Sequence, residues 1–142
     1  MKRQRCAVWY LRIALGAAFL SAVAARFGWY GRNVGWGNFE NFTRYTAQVN
    51  SFMPAFTIPF LAWAATVLEV ALGILLIAGL WPKQVALASA MLLAWFGIAM
   101  AISFGIKSPL DYSVFSASAG ALLLAFSSPA NPGRSADSEE KQ

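Results

Sequence analysis

The chain has 142 residues, 58% of them hydrophobic and 12% charged, with a net charge of +5, one Cys and no His. A soluble domain carries about 25% charged residues, so this chain has half the usual stock for covering a water-facing surface. The missing His and the single Cys exclude a His-ligated haem, a Ser-His or Cys-His pair, an iron–sulfur cluster, an internal disulfide and a C-x-x-C redox pair.

Four apolar segments, at about 7–27, 57–80, 84–104 and 110–127, predict the architecture. Each is near the roughly 20 residues that cross a ~30 Å hydrocarbon layer as a helix, and none shows strand alternation. The expected fold is all-α: a polytopic membrane protein with an antiparallel bundle of four transmembrane helices over 1–127, followed by a disordered cytoplasmic tail over 128–142. The first segment follows Lys2-Arg3-Gln4-Arg5. That start, with Ala22-Val23-Ala24 downstream, also resembles a cleavable secretory signal, but Arg12 inside the run and Trp9 and Tyr10 beside it oppose that reading. With the N-terminus inside, Lys2, Arg3, Arg5, Lys83, Arg134 and Lys141 are cytoplasmic, while Arg32, Arg44 and Lys107 lie outside. This bias predicts a multi-pass membrane protein with both termini cytoplasmic.

The long connection 28–55 contains Phe39, Phe42, Tyr45, Val49 and Phe52 at three- and four-residue steps, with Asn38, Glu40, Asn41, Arg44 and Gln48 between them. That spacing predicts an amphipathic helix on the outer interface or capping the bundle. Gly28, Gly31, Gly35 and Gly37, interrupted by Trp29, Tyr30 and Trp36, predict an irregular aromatic lead-in. Trp81-Pro82-Lys83-Gln84 predicts a tight turn between antiparallel neighbours. Ser108-Pro109-Leu110-Asp111 reads as the start of the fourth helix, with Asp111 favouring its positive end.

Stripes of small residues at four-residue spacing predict close helix packing: Ala14, Ala18 and Ala22; Ala65 and Gly73 with Glu69 between them; Ala86, Ala90 and Ala94; Ser113, Ala117, Ala121 and Ala125. An oligomeric face could remain. The basic residues flank apolar segments and form no single patch, so membrane lipid, and not nucleic acid, is the expected partner.

Glu69 is the sharpest feature. It falls at the middle of the second apolar segment, and its side chain is too short to reach either surface ~15 Å away. A carboxylate there is paired, hydrated in a cavity or protonated. It is either an interhelical tie or a functional acid/base. Arg12 is the expected partner by charge and face, although the tilt of Cα–Cβ bonds toward each helix's own N-terminus separates the two in depth. Arg26, fourteen residues from Arg12 and on nearly the same face, reads with it as a pair of boundary anchors. Asp111 is a secondary candidate acid. Trp63 and Trp95 sit deep enough to line a pocket. The scattered carboxylates suggest no metal site.

Leu11-Arg12-Ile13-Ala14-Leu15-Gly16, Leu68-Glu69-Val70-Ala71-Leu72-Gly73 with Ala78-Gly79-Leu80, and Ser108-Pro109-Leu110-Asp111-Tyr112 together make the chain resemble the DoxX-like family of small four-helix bacterial membrane proteins. The resemblance covers about residues 8–126. It implies a membrane subunit tied to quinone-linked redox or to oxidative and sulfur stress, with a quinone as cofactor and a redox protein as partner. Enzyme activity in this chain itself is left open. Two other function classes fit the residues: a small proton- or solute-transport module, and a structural scaffold for a partner complex.

Overall fold

A computed structural model describes residues 2–127, and among them all regular structure is helical. The elements are α1 (Lys2–Arg26), α2 (Phe39–Val49), a short 3-10 turn (Ala55–Thr57), α3 (Ile58–Ala78), α4 (Pro82–Phe104), α5 (Lys107–Asp111) and α6 (Val114–Ser127). The tail expected over 128–142, with Arg134 and Lys141, lies outside the described residues.

Three stretches, Arg3–Arg26, Ala55–Ala78 and Pro82–Phe104, are long and apolar enough to cross a membrane. Phe60, Val67, Ile74, Met91, Ile102 and Phe126 point outward, and an apolar exterior of this kind belongs in lipid. The chain is a multi-pass membrane protein. The expected fourth crossing is divided. Gly105 ends α4 with φ 84°. The start expected at Ser108-Pro109-Leu110-Asp111 is corrected: α5 begins at Lys107 behind Ile106, Ser108 lies inside it without capping, and Asp111 is its last residue, at the wrong end for the helix dipole. The chain then breaks at Ser113, in the left-handed region at φ 55°, before α6 begins at Val114. α6 is apolar but has 14 residues, about 21 Å of helix, short of a ~30 Å core.

The bundle is built from two antiparallel pairs. In the first, α1 packs on α3: Arg12 meets the end of α3 at Leu76 and Ile77, whereas Arg26 meets Thr66 and Glu69. A Cβ on Gly16 would come within 2.8 Å of the Gly73 carbonyl oxygen, and one on Gly73 within 3.1 Å of the Gly16 carbonyl oxygen. Two backbones this close require glycine on both sides, and such approach is what holds helices together without water's help. In the second pair, α4 packs on α6: Ser118 Oγ donates to the Ala90 carbonyl at 2.7 Å, and a Cβ on Gly97 would meet the Phe115 ring.

The small-residue stripes therefore pack as expected on α4 and α6, where Ala86, Ala90, Ala121 and Ala125 are buried. On α1 the expected stripe is displaced by one position: Ala14 and Ala18 are exposed, and Leu15, Gly16, Phe19 and Val23 face inward. The two pairs meet at a core of Leu15, Phe19, Leu72, Leu76, Val85, Ala86, Ala121 and Leu124.

α2 closes one end of the bundle. Asn38 Oδ1 accepts from the Asn41 N–H at 2.8 Å and caps its start. Phe42, Thr46 and Val49 are its buried residues, the inner face of the predicted amphipathic pattern. Phe39 stacks on Phe27 after α1 and packs on Trp63 of α3. Tyr45 packs on Phe104 of α4, and Ser103 Oγ donates to the Val49 carbonyl. Both halves of the bundle thus hold the same short helix.

Candidate functional site: a buried ion pair on an apolar cleft

Glu69 lies halfway along α3 and is 2% exposed. Its partner is Arg26, whose NH2 stands 2.6 Å from Glu69 Oε2. Arg26 is itself 4% exposed although it is the last residue of α1. Three contacts hold its guanidinium. One edge meets Glu69. NH1 donates to Thr66 Oγ1 at 2.9 Å, one turn before Glu69 on α3. The face lies 3.8 Å from the centre of the Phe42 ring of α2, a cation–π contact in a water-poor setting. Thr66 Oγ1 donates in turn to the Ala62 carbonyl. The Arg26 Nε–H has no acceptor among the described residues.

The expected pairing of Glu69 with Arg12 is corrected by this geometry. Arg12 instead closes the far end of α3, with Nε donating to the Leu76 carbonyl at 3.0 Å and NH2 to the Ile77 carbonyl at 3.4 Å. These are orphan carbonyls of a helix C-terminus, where a cation is favoured. Trp9 covers the guanidinium from 4.9 Å, and Gly79, at φ 75°, turns the chain beside it. The boundary-anchor reading of Arg26 is corrected as well, because α2 folds over it and shuts it inside.

The direction of side chains along a helix explains both outcomes. Cα–Cβ bonds tilt toward a helix's own N-terminus. In the antiparallel pair, Glu69 leans toward the end where α1 finishes, and Arg26 leans back from that end toward Glu69. The same tilt carries Arg12 and Glu69 apart. The rule that weakened the Arg12 pairing was therefore also the signal that could have found Arg26.

Arg26 and Glu69 stand on the wall of a cleft of about 420 Å³ between the two helix pairs. Leu15, Phe19, Leu68, Leu93, Phe96 and Met100 represent its otherwise apolar lining. Trp36, Tyr45, Thr46 and Asn50 close it from the α2 end. Trp95 lines it as expected, whereas Trp63 packs against Phe27 and Phe39 instead. Thr46 and Asn50 donate to carbonyls within α2. Burial, and secondarily the neighbouring Tyr112, push the Tyr45 phenol up from its ordinary value, so it remains a neutral hydroxyl. The volume suits a small apolar molecule.

Asp111 is far from this arrangement in role. It is exposed and pairs with Lys107 one turn earlier in α5, a contact that solvent makes weak. The one cysteine, Cys6, is exposed near the start of α1. Among the described residues no group of His, Cys, Asp and Glu could hold a metal ion.

No curated protein and no solved structure matches the chain. The DoxX-like resemblance is overturned by the family match, which is to a different family. Glycine within apolar helices, part of the pattern that carried the resemblance, serves close helix packing in membrane proteins generally and is specific to no family. The link to oxidative and sulfur stress falls with it. The match is to methylamine utilisation protein MauE, over residues 4–111 and so from α1 through α5, and the chain belongs to the MauE family.

Proposed function

We propose that the chain is an inner-membrane subunit of a redox system for methylamine utilisation, and that its cleft holds a quinone beside Arg26 and Glu69. The observation that carries this reading is a buried ion pair on the wall of an apolar cleft of about 420 Å³. A lipid-soluble carbonyl compound fits such a lining, with an apolar wall for its body and a donor group for its oxygen. A bound quinone supplies two-electron, two-proton carriage.

In this reading Glu69 is a base. Its carboxylate would accept the proton released by a head-group hydroxyl when a bound quinol is oxidised, and would return it on reduction. Arg26 fixes the carboxylate through NH2, and Thr66 fixes Arg26 through NH1. α2 excludes water above the pair by placing Phe42 against the guanidinium. With no His and one exposed Cys in the chain, thiol or metal chemistry is assigned to a redox protein partner.

Purification from native membranes in a mild detergent, followed by solvent extraction, should release a quinone, and Ala18→Phe should deplete it by placing a ring at the open rim of the cleft, which the exposed Ala18 lines. Protein free of quinone under gentle conditions would sink the reading. The proposed orientation puts both termini in the cytoplasm. Cys6 reports on it directly: a membrane-impermeant thiol reagent should label it in lysed spheroplasts and leave it unlabelled in intact ones.

A further inference from the structure

The ion pair also governs which head group the cleft accepts. Among the described residues, Arg26 and Glu69 are the only charged side chains on its wall. A guanidinium keeps its proton in proteins, so its counter-charge has to come from Glu69, 2.6 Å away. The two charges cancel. A further anion placed there would face the Glu69 carboxylate in a medium that screens poorly, with no second cation to offset it.

The wall still has hydrogen-bonding capacity. Thr46 and Asn50 donate to carbonyls of their own helix, whereas the buried Arg26 Nε–H has no acceptor among the described residues and Glu69 Oε2 has only its ion-pair contact with Arg26. An acceptor oxygen relieves a buried donor in that state, and a neutral one does so without setting a second negative charge beside Glu69. On α1 the lining runs from Leu15 to Arg26, eleven residues or about 16 Å, which is room for an extended chain behind the head group.

We propose that the cleft takes an elongated apolar molecule ending in a neutral carbonyl and rejects the carboxylate of equal length, with Glu69 setting that preference. This rests on the cleft being a ligand site, as proposed above, and not on the ligand being a quinone.

The test titrates the purified full-length chain in maltoside micelles at pH 8 with 2-dodecanone, a decyl-substituted benzoquinone and dodecanoate, measured by calorimetry. Ala18→Phe provides the baseline for partition into micelles. The neutral carbonyls should bind at least tenfold more tightly than dodecanoate, and Glu69→Gln should erase that margin by admitting dodecanoate to the unbalanced Arg26. Dodecanoate binding as tightly as 2-dodecanone to the unmodified chain overturns the proposal, whether or not Glu69→Gln folds. A margin unchanged in folded Glu69→Gln overturns the role of Glu69. Binding of 2-dodecanone without the benzoquinone sustains the head-group preference and sinks the quinone reading; binding of neither sinks both.

Discussion

The two ends of the α1–α3 pair present the same residue type in opposite circumstances. Arg12 and Arg26 occupy one helix, fourteen positions apart on nearly one face. Arg12 is half-buried, and its acceptors are the terminal carbonyls of α3. Arg26 is buried against a carboxylate, a threonine hydroxyl and an aromatic face. The carbonyls that Arg12 serves can be hydrated in its absence. The Glu69 charge cannot be hydrated in the absence of Arg26. One arginine therefore finishes a helix, and the other makes an interior charge tolerable.

Substitutions should separate the two ends clearly. Glu69→Leu has the largest expected effect, because a guanidinium cannot shed its charge when its partner is lost. It should destabilise the detergent-solubilised protein by about 3 kcal/mol or more, read from thermal or denaturant unfolding by circular dichroism. Arg26→Leu should cost less, since the stranded carboxyl can accept a proton. Equal losses would mean that Glu69 does not balance Arg26. Gly16→Val forces the α1 and α3 backbones apart and should cost about 1–3 kcal/mol, with loosening of both ends together. Arg12→Leu should cost about 1 kcal/mol, the scale of hydrogen bonds to accessible carbonyls. Lys107→Ala should leave unfolding unchanged, because its pair with Asp111 is exposed.

Much of this arrangement was legible in the residues. Length and apolarity located three full-length helices, the Phe39, Phe42, Tyr45 and Val49 spacing located α2, although its expected continuation to Phe52 falls outside the helix, and Trp81-Pro82-Lys83-Gln84 located the turn into α4. Glu69 was singled out because nothing at its depth could solvate it. Its partner was obscured by treating the end of the first apolar segment as the edge of the protein. α2 lies beyond that edge in sequence and over it in space, and only the folded chain brings Phe42 onto Arg26. The start expected at Ser108-Pro109 failed, because the helix there opens one residue earlier and ends at Asp111, and the local pattern carried no information about the break at Ser113. The alanine stripe of α1 failed for another reason. Small side chains permit close approach without directing it, and Gly16, one register over, allowed a closer one.

The central claim is that Glu69 is coupled to Arg26 and not to Arg12. A double-mutant cycle tests it: unfolding free energies are measured for Arg26→Leu, Glu69→Leu and their combination, with a parallel cycle on Arg12→Leu. The Arg26–Glu69 cycle should give a coupling of about 3 kcal/mol, with the double variant more stable than Glu69→Leu alone. The Arg12–Glu69 cycle should be additive. Additivity in the first cycle, or coupling in the second, would contradict the account.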